Sequence, residues 1–130
     1  MLASSYNKAS AHYRSLAAAG QAESADPHSL VAMLYDELLL CIDVLTMRAQ
    51  RGSSLNDDEQ AHRARGIIIA LRAGLDFEAG GDLAFTLDAL YDALSKEFEE
   101  RLSMPVPQQF TELRAGVESL ANAWSAIADR

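Results

Sequence analysis

The stretch Gly74-Leu75-Asp76-Phe77-Glu78-Ala79-Gly80-Gly81-Asp82-Leu83 sets carboxylates on both sides of a glycine pair. Acids beside a turn can hold a hard cation, and glycine-rich turns can cradle phosphate. A calcium loop needs more oxygen ligands at fixed spacing than Asp76, Glu78 and Asp82 offer. Gly80-Gly81 also lacks the lysine of a phosphate loop and the preceding strand of a dinucleotide site. The stretch reads instead as a corner, in which one helix ends, glycine turns the backbone sharply, and Asp82 opens the next helix.

The remaining reactive side chains are no better placed. His12, His28 and His62 lie on separate segments without the i, i+4 spacing that sets two ligands on one helix face, so they read as solvated, His28 with a local role in a first helical turn. Cys41 is the only cysteine, which excludes an intrachain disulfide and a Cys-rich zinc site. It falls on an apolar stripe, where a buried thiol is inert. Asp36 and Glu37 diverge by about 100° around a helix, which spoils them as a general acid and base. Glu59-Gln60-Ala61-His62 has the Glu-x-x-His spacing of a metal-binding bundle, but such a centre takes a second copy and the chain has one. No enzyme, cofactor or metal is expected.

The elements that carry these residues follow from composition and periodicity. A chain of 130 residues fits one domain with a single core. Apolar residues make up 49%, only 3 residues are proline, and the Ala, Leu, Glu, Arg and Asp content favours helix. A net charge of −8 with dispersed arginines argues against nucleic acid and against anionic membranes. The N-terminus lacks the apolar core of a signal peptide, and no run reaches the ~18–20 apolar residues of a membrane span. A cytoplasmic location without membrane insertion is expected.

Residues 1–24 are expected to be a mobile N-terminal segment with a short amphipathic helix, marked by Tyr6, Ala9, Tyr13, Leu16 and Ala17. Residues 25–130 form the main domain. Asp26-Pro27 starts a long helix running to Arg51 before Gly52. Its core stripe is Val31, Leu34, Leu38, Cys41, Ile42 and Leu45, and a second apolar set, Leu30, Met33, Leu40, Val44 and Met47, lies off that stripe. The next helix follows Asn56 with Asp57, Asp58 and Glu59 in its first turn, and buries Ala64, Ile67, Ile68, Leu71 and Leu75. The third follows the glycine pair, with Leu83, Leu87, Leu90, Tyr91, Leu94, Phe98 and Leu102 on one face and Phe85 pointing away. After Pro105 and Pro107 the fourth carries Phe110, Leu113, Val117, Leu120, Trp124 and Ile127 at bundle-seam spacing. Short connections make neighbours antiparallel, so the expected fold is all-α, an antiparallel up-down four-helix bundle with the N-terminal segment added.

The segment Ala25-Asp26-Pro27-His28-Ser29-Leu30-Val31-Ala32-Met33-Leu34-Tyr35-Asp36 resembles the opening of the first long helix in the flagellar secretion chaperone FliS family. Gly66-Ile67-Ile68-Ile69-Ala70-Leu71-Arg72-Ala73-Gly74-Leu75-Asp76, then Gly80-Gly81-Asp82-Leu83, Thr86-Leu87 and Leu90-Tyr91-Asp92, are similar to that family's later motifs in order and spacing. Leu120 to Trp124 resembles its closing motif. Glu37, Phe85-Thr86 and Met104-Pro105-Val106-Pro107 depart from the pattern, which touches groove shape more than fold.

The resemblance implies a cytosolic chaperone that binds the C-terminal segment of flagellin, holds it unpolymerised and helps deliver it to the flagellar export gate. Such a guest needs long apolar grooves and no catalytic groups. The candidate contacts are the surplus apolar set and the outlying aromatic: Leu30, Met33, Leu40, Val44, Met47, Ile69 and Phe85. The resemblance further implies that the N-terminal segment covers part of this surface, through Tyr6, Tyr13 and Leu16. Tyr35 and Tyr91 read as core tyrosines whose hydroxyls find a partner. The alternative is a homodimeric helical adaptor using the same apolar surface.

Overall fold

The computed structural model describes residues 27–128, with the side chains of Pro27, Ile127 and Ala128 left aside. The expectations for Tyr6, His12, Tyr13, Leu16 and the N-terminal helix lie outside the described residues. Four helices follow in order: α1 Pro27–Gln50, α2 Glu59–Ala73, α3 Phe77–Ser103 and α4 Pro107–Ala128. No strand occurs among the described residues. α1 packs mainly against α4 and α2, α2 against α3, and α3 more loosely against α4, which closes an all-helical four-helix bundle.

Local signals set most boundaries. Gly52 adopts φ 76°, the left-handed conformation that suits glycine after a helix end. Pro107 opens α4, where its missing N–H costs nothing. Asp58 is the N-cap of α2 rather than a residue of its first turn. Its carboxylate accepts the Gln60 N–H at 2.8 Å and also receives Arg48 from the end of α1.

The glycine corner differs from expectation in its details. α2 ends at Gly74, and Asp76 rather than Asp82 caps the next helix, accepting the N–H groups of Glu78 and Ala79 at 3.0 Å each. Gly80-Gly81 therefore lies inside α3. Gly81, at φ 51° and ψ −131°, breaks the helical path between the first turn and the rest, a conformation that strains any side chain. An Asp with extended backbone two residues before free N–H groups wins as the cap, because it satisfies two of them at once.

The core draws on every helix. Leu34, Leu38, Ile42 and Leu45 of α1, Ile67 of α2, Phe98 and Leu102 of α3, and Phe110 and Val117 of α4 are essentially buried. Tyr35 and Tyr91 meet at the centre, hydroxyl to hydroxyl at 2.6 Å, so two polar atoms needed on opposite helices satisfy each other. Trp124 Nε1 donates to the His28 carbonyl at 3.0 Å, and its ring lies 4.4 Å from the His28 imidazole, tying the end of α4 to the start of α1. His28 is thus half-buried against an aromatic rather than solvated, while His62 is exposed as its spacing suggested.

Three side-chain assignments change. Leu30 belongs to the core at 3% exposure, because it stands one turn before Leu34 on the same side of α1. Leu83 and Leu90 of α3 are exposed, because α4 approaches α3 too loosely to cover the whole leucine arc.

Arginine–carboxylate pairs line three of the four seams. Arg63 reaches Glu37 at 3.0 Å across α1 and α2, Arg65 reaches Glu99 at 2.7 Å across α2 and α3, and Arg72 reaches Asp88 at 2.6 Å across the same seam. Arg114 of α4 reaches Asp43 of α1 at 2.7 Å. Each is partly exposed and screened by water, so these pairs align helices more than they stabilise them. No ion pair joins α3 to α4 among the described residues.

Candidate functional site

Nucleophilic chemistry finds no support in the geometry. Cys41 is buried, and desolvation pushes its thiol up to about 11, with a smaller opposing pull from Arg63. A thiol that stays protonated at neutral pH is a poor nucleophile. Native protein should therefore react with a maleimide orders of magnitude more slowly than protein in denaturant; equal rates would place Cys41 at an accessible surface. Among the described residues no three His, Cys, Asp or Glu side chains converge as metal ligands. The Glu59–His62 pair opens to solvent, with His62 Nδ1 beside Arg65 at 3.2 Å.

The apolar surface is more informative, and it falls into separate places. On α1, Leu40 and Met47 are 58% and 52% exposed, and Met33 and Val44 are half-buried on the same side. Spacings of four and three between Leu40, Val44 and Met47, with Met33 one heptad before Leu40, align these four along one line of the helix. Glu37, paired to α2, flanks that line on one side, and Asp43, paired to α4, flanks it on the other. Bundle packing has thus taken the opposite face of α1 and left a strip about four turns long facing out.

Ile69 and Phe85 are not part of that strip. Ile69, 56% exposed, sits on α2 between the arginines that bind α3. Phe85, 62% exposed, packs its ring 4.8 Å from Phe77 at the glycine corner. Of the seven candidate contacts, four line the α1 strip, two stand apart, and Leu30 is in the core.

A second apolar surface was not anticipated. Between α3 and α4 a cleft of about 380 Å³ opens, walled by Leu90 and Leu94 on one side and Leu113 and Leu120 on the other, with Gly116 presenting no side chain. Glu97 and Glu112 also line it. Periodicity places Leu90 and Leu94 on one face of α3 and Leu113 and Leu120 on the seam of α4, and a helical stripe looks the same whether or not its partner closes on it.

The described residues thus form a helical bundle with an exposed apolar strip on α1 and an apolar cleft between α3 and α4. In comparisons with known proteins, the family model described as flagellar protein FliS matches residues 9–130. The chain is 29% identical over 115 residues to the flagellar secretion chaperone FliS of Vibrio cholerae, covering 88% of this chain and 85% of that one. It is 30% identical over 108 residues to the protein of the same name from Salmonella typhimurium, covering 82% and 80% respectively. It is 28% identical over 120 residues to the flagellar secretion chaperone FliSB of Pseudomonas aeruginosa, covering 92% and 95%.

Proposed function

Because the chain belongs to the flagellar protein FliS family, we propose that it is a flagellar export chaperone that binds the C-terminal segment of flagellin in the cytoplasm. Binding keeps that segment from polymerising early and presents it to the export gate. The observation that carries this reading is the outward strip of Leu40, Val44 and Met47 on α1, continued by the half-buried Met33, on a helix whose opposite face is buried in the core. A guest segment that is disordered alone folds as an amphipathic helix when it buries such a strip, since apolar burial then offsets the entropy of ordering. No helix among the described residues is long and apolar enough to cross a membrane.

Calorimetric titration with a peptide of the last forty or so residues of flagellin from the same genome should give near-stoichiometric binding. A strongly negative heat-capacity change should accompany it, as expected for coupled folding onto apolar surface. No binding by a folded sample, together with a concentration-dependent dimer, would leave the homodimeric adaptor as the reading.

The N-terminal segment, through Tyr6, Tyr13 and Leu16, covers part of the same surface until flagellin arrives. Deleting residues 1–19 should raise binding of an apolar dye while the helical circular dichroism is retained. Unchanged dye binding by the folded truncated chain would remove the covering role.

A further inference from the structure

The chain has four methionines, and the described residues place three of them in different surroundings. Met33 is half-buried and packs against the core. Met104, 74% exposed, stands at the C-cap of α3, where the connection to α4 begins. Met47, 52% exposed, lies in the last turn of α1, one turn after Val44 and two after Leu40 on the outward strip. Leucine and valine are inert to mild oxidants, whereas a thioether takes up one oxygen atom and becomes a polar, chiral sulfoxide. Cys41, the other sulfur in this half of α1, is buried in the core and does not compete for the oxidant.

We propose that Met47 is a reversible modification site, at which oxidation of the thioether by hydrogen peroxide turns the α1 strip polar and lowers its affinity for the guest. The sulfur lone pair forms an S–O bond to one peroxide oxygen as the O–O bond breaks. The other oxygen leaves with the bonding pair, takes the proton of the transferred oxygen and departs as water, so sulfur is oxidised by two electrons and peroxide is reduced by two. The proposal rests on the chaperone reading of the strip and adds how that surface is switched off. In the free protein the sulfoxide stays hydrated, because the Met47 side chain already faces water, and the fold is untouched. Under a guest helix the same oxygen must give up its water among Leu40, Val44 and the apolar side of the guest, and an unpaired polar group buried in that way opposes binding. Oxidation therefore acts on affinity and not on stability.

Peroxide treatment followed by peptide mapping should convert Met104 and Met47 well before Met33, with the helical circular dichroism and melting temperature retained. The oxidised wild type should bind the flagellin C-terminal peptide about five- to thirtyfold more weakly. Treatment with the two methionine sulfoxide reductases, one for each epimer, should restore the affinity. Met47→Leu keeps the volume and the helix propensity, so it should bind like the wild type before treatment and retain its affinity afterwards. Met104→Leu should lose affinity on treatment as the wild type does. Bound peptide should slow oxidation of Met47 severalfold and leave that of Met104 unchanged.

Full conversion of Met47 with unchanged affinity overturns the proposal, as does oxidation of Met47 no faster than that of Met33. An equal loss in treated Met47→Leu places the effect at another methionine and overturns it as well. If the untreated wild type binds no peptide, the chaperone reading fails, and binding of an apolar dye then decides the site. Peroxide should lower dye binding by the wild type and not by Met47→Leu, and an equal change in both overturns the proposal.

Discussion

Phe110→Ala should cost about 3–5 kcal/mol of folding stability, the largest loss expected of any single truncation considered. Phe110 stands in the first turn of α4 at 0% exposure, just after the Pro105–Pro107 connection, and joins the same core cluster as Phe98 and Leu102 of α3. Removing the ring loses its transfer from water and leaves a void, because Pro107 holds the start of α4 in place and limits collapse. Against a total stability of about 5–15 kcal/mol for a domain of this kind, the variant should melt roughly 10–20 °C lower. Urea titration of the helical signal should show the same loss as a lower midpoint. A loss below about 1 kcal/mol would mean that the first turn of α4 is not docked on the core. Phe110→Leu, which retains much of the volume, should recover most of the difference.

The second large effect is on binding. Leu40→Asp combined with Met47→Asp should weaken the flagellin peptide by at least about thirtyfold while the melting point drops by only a few degrees. Both side chains are more than half exposed in the free protein, so neither supplies much of the core. A guest helix covering them would remove the remaining apolar area of each, about 1 kcal/mol apiece at roughly 25 cal/mol per Å². The introduced carboxylates must then be desolvated without a partner, which adds to the loss. The poorer helix propensity of Asp accounts for about 0.5 kcal/mol of stability per site and explains the small thermal shift. Unchanged affinity would mean that the guest avoids the α1 strip. A fall of more than about 10 °C together with conversion of a dimer to a monomer would mean that the strip is buried between two copies, since a protomer lost from such an interface loses its stability too.

The first test addresses the core and the second the outer face of α1, and the groups that join the helices differ around the bundle. Arg114 pairs with Asp43 at the α1–α4 seam, and Arg63 with Glu37 at the α1–α2 seam, so the α1 strip lies between two aligned contacts. The α3–α4 cleft has no such fastening among the described residues. Asp58 shows how such a contact is maintained: burial pushes its carboxyl up, but the Arg48 guanidinium and the Gln60 N–H outweigh that and hold it below the usual carboxylate range. A carboxylate depressed in this way stabilises the fold above its unfolded value and loses that contribution as pH falls through the folded one, so this link between α1 and α2 weakens only in strong acid.

Periodicity and punctuation were enough to determine the helices and most of the core. The threes and fours of Val31 to Leu45 and of Phe110 to Trp124, Gly52 after the first helix and Pro107 at the start of the last, are local facts, and a helix obeys local rules. The ordered motifs from Ala25 to Trp124 likewise determined the family, because no rearrangement of the bundle alters which residues follow which. Tertiary structure decided what local rules leave open. Asp76 outcompeted Asp82 as a cap because two N–H groups converge on it. Leu30 entered the core while Leu83 and Leu90 stayed in solvent, because burial depends on how closely a second helix approaches, and that distance is set by all four helices at once. The cleft at Gly116 has the same origin: a missing side chain is visible in the sequence, but whether anything fills its place is a property of the packed bundle.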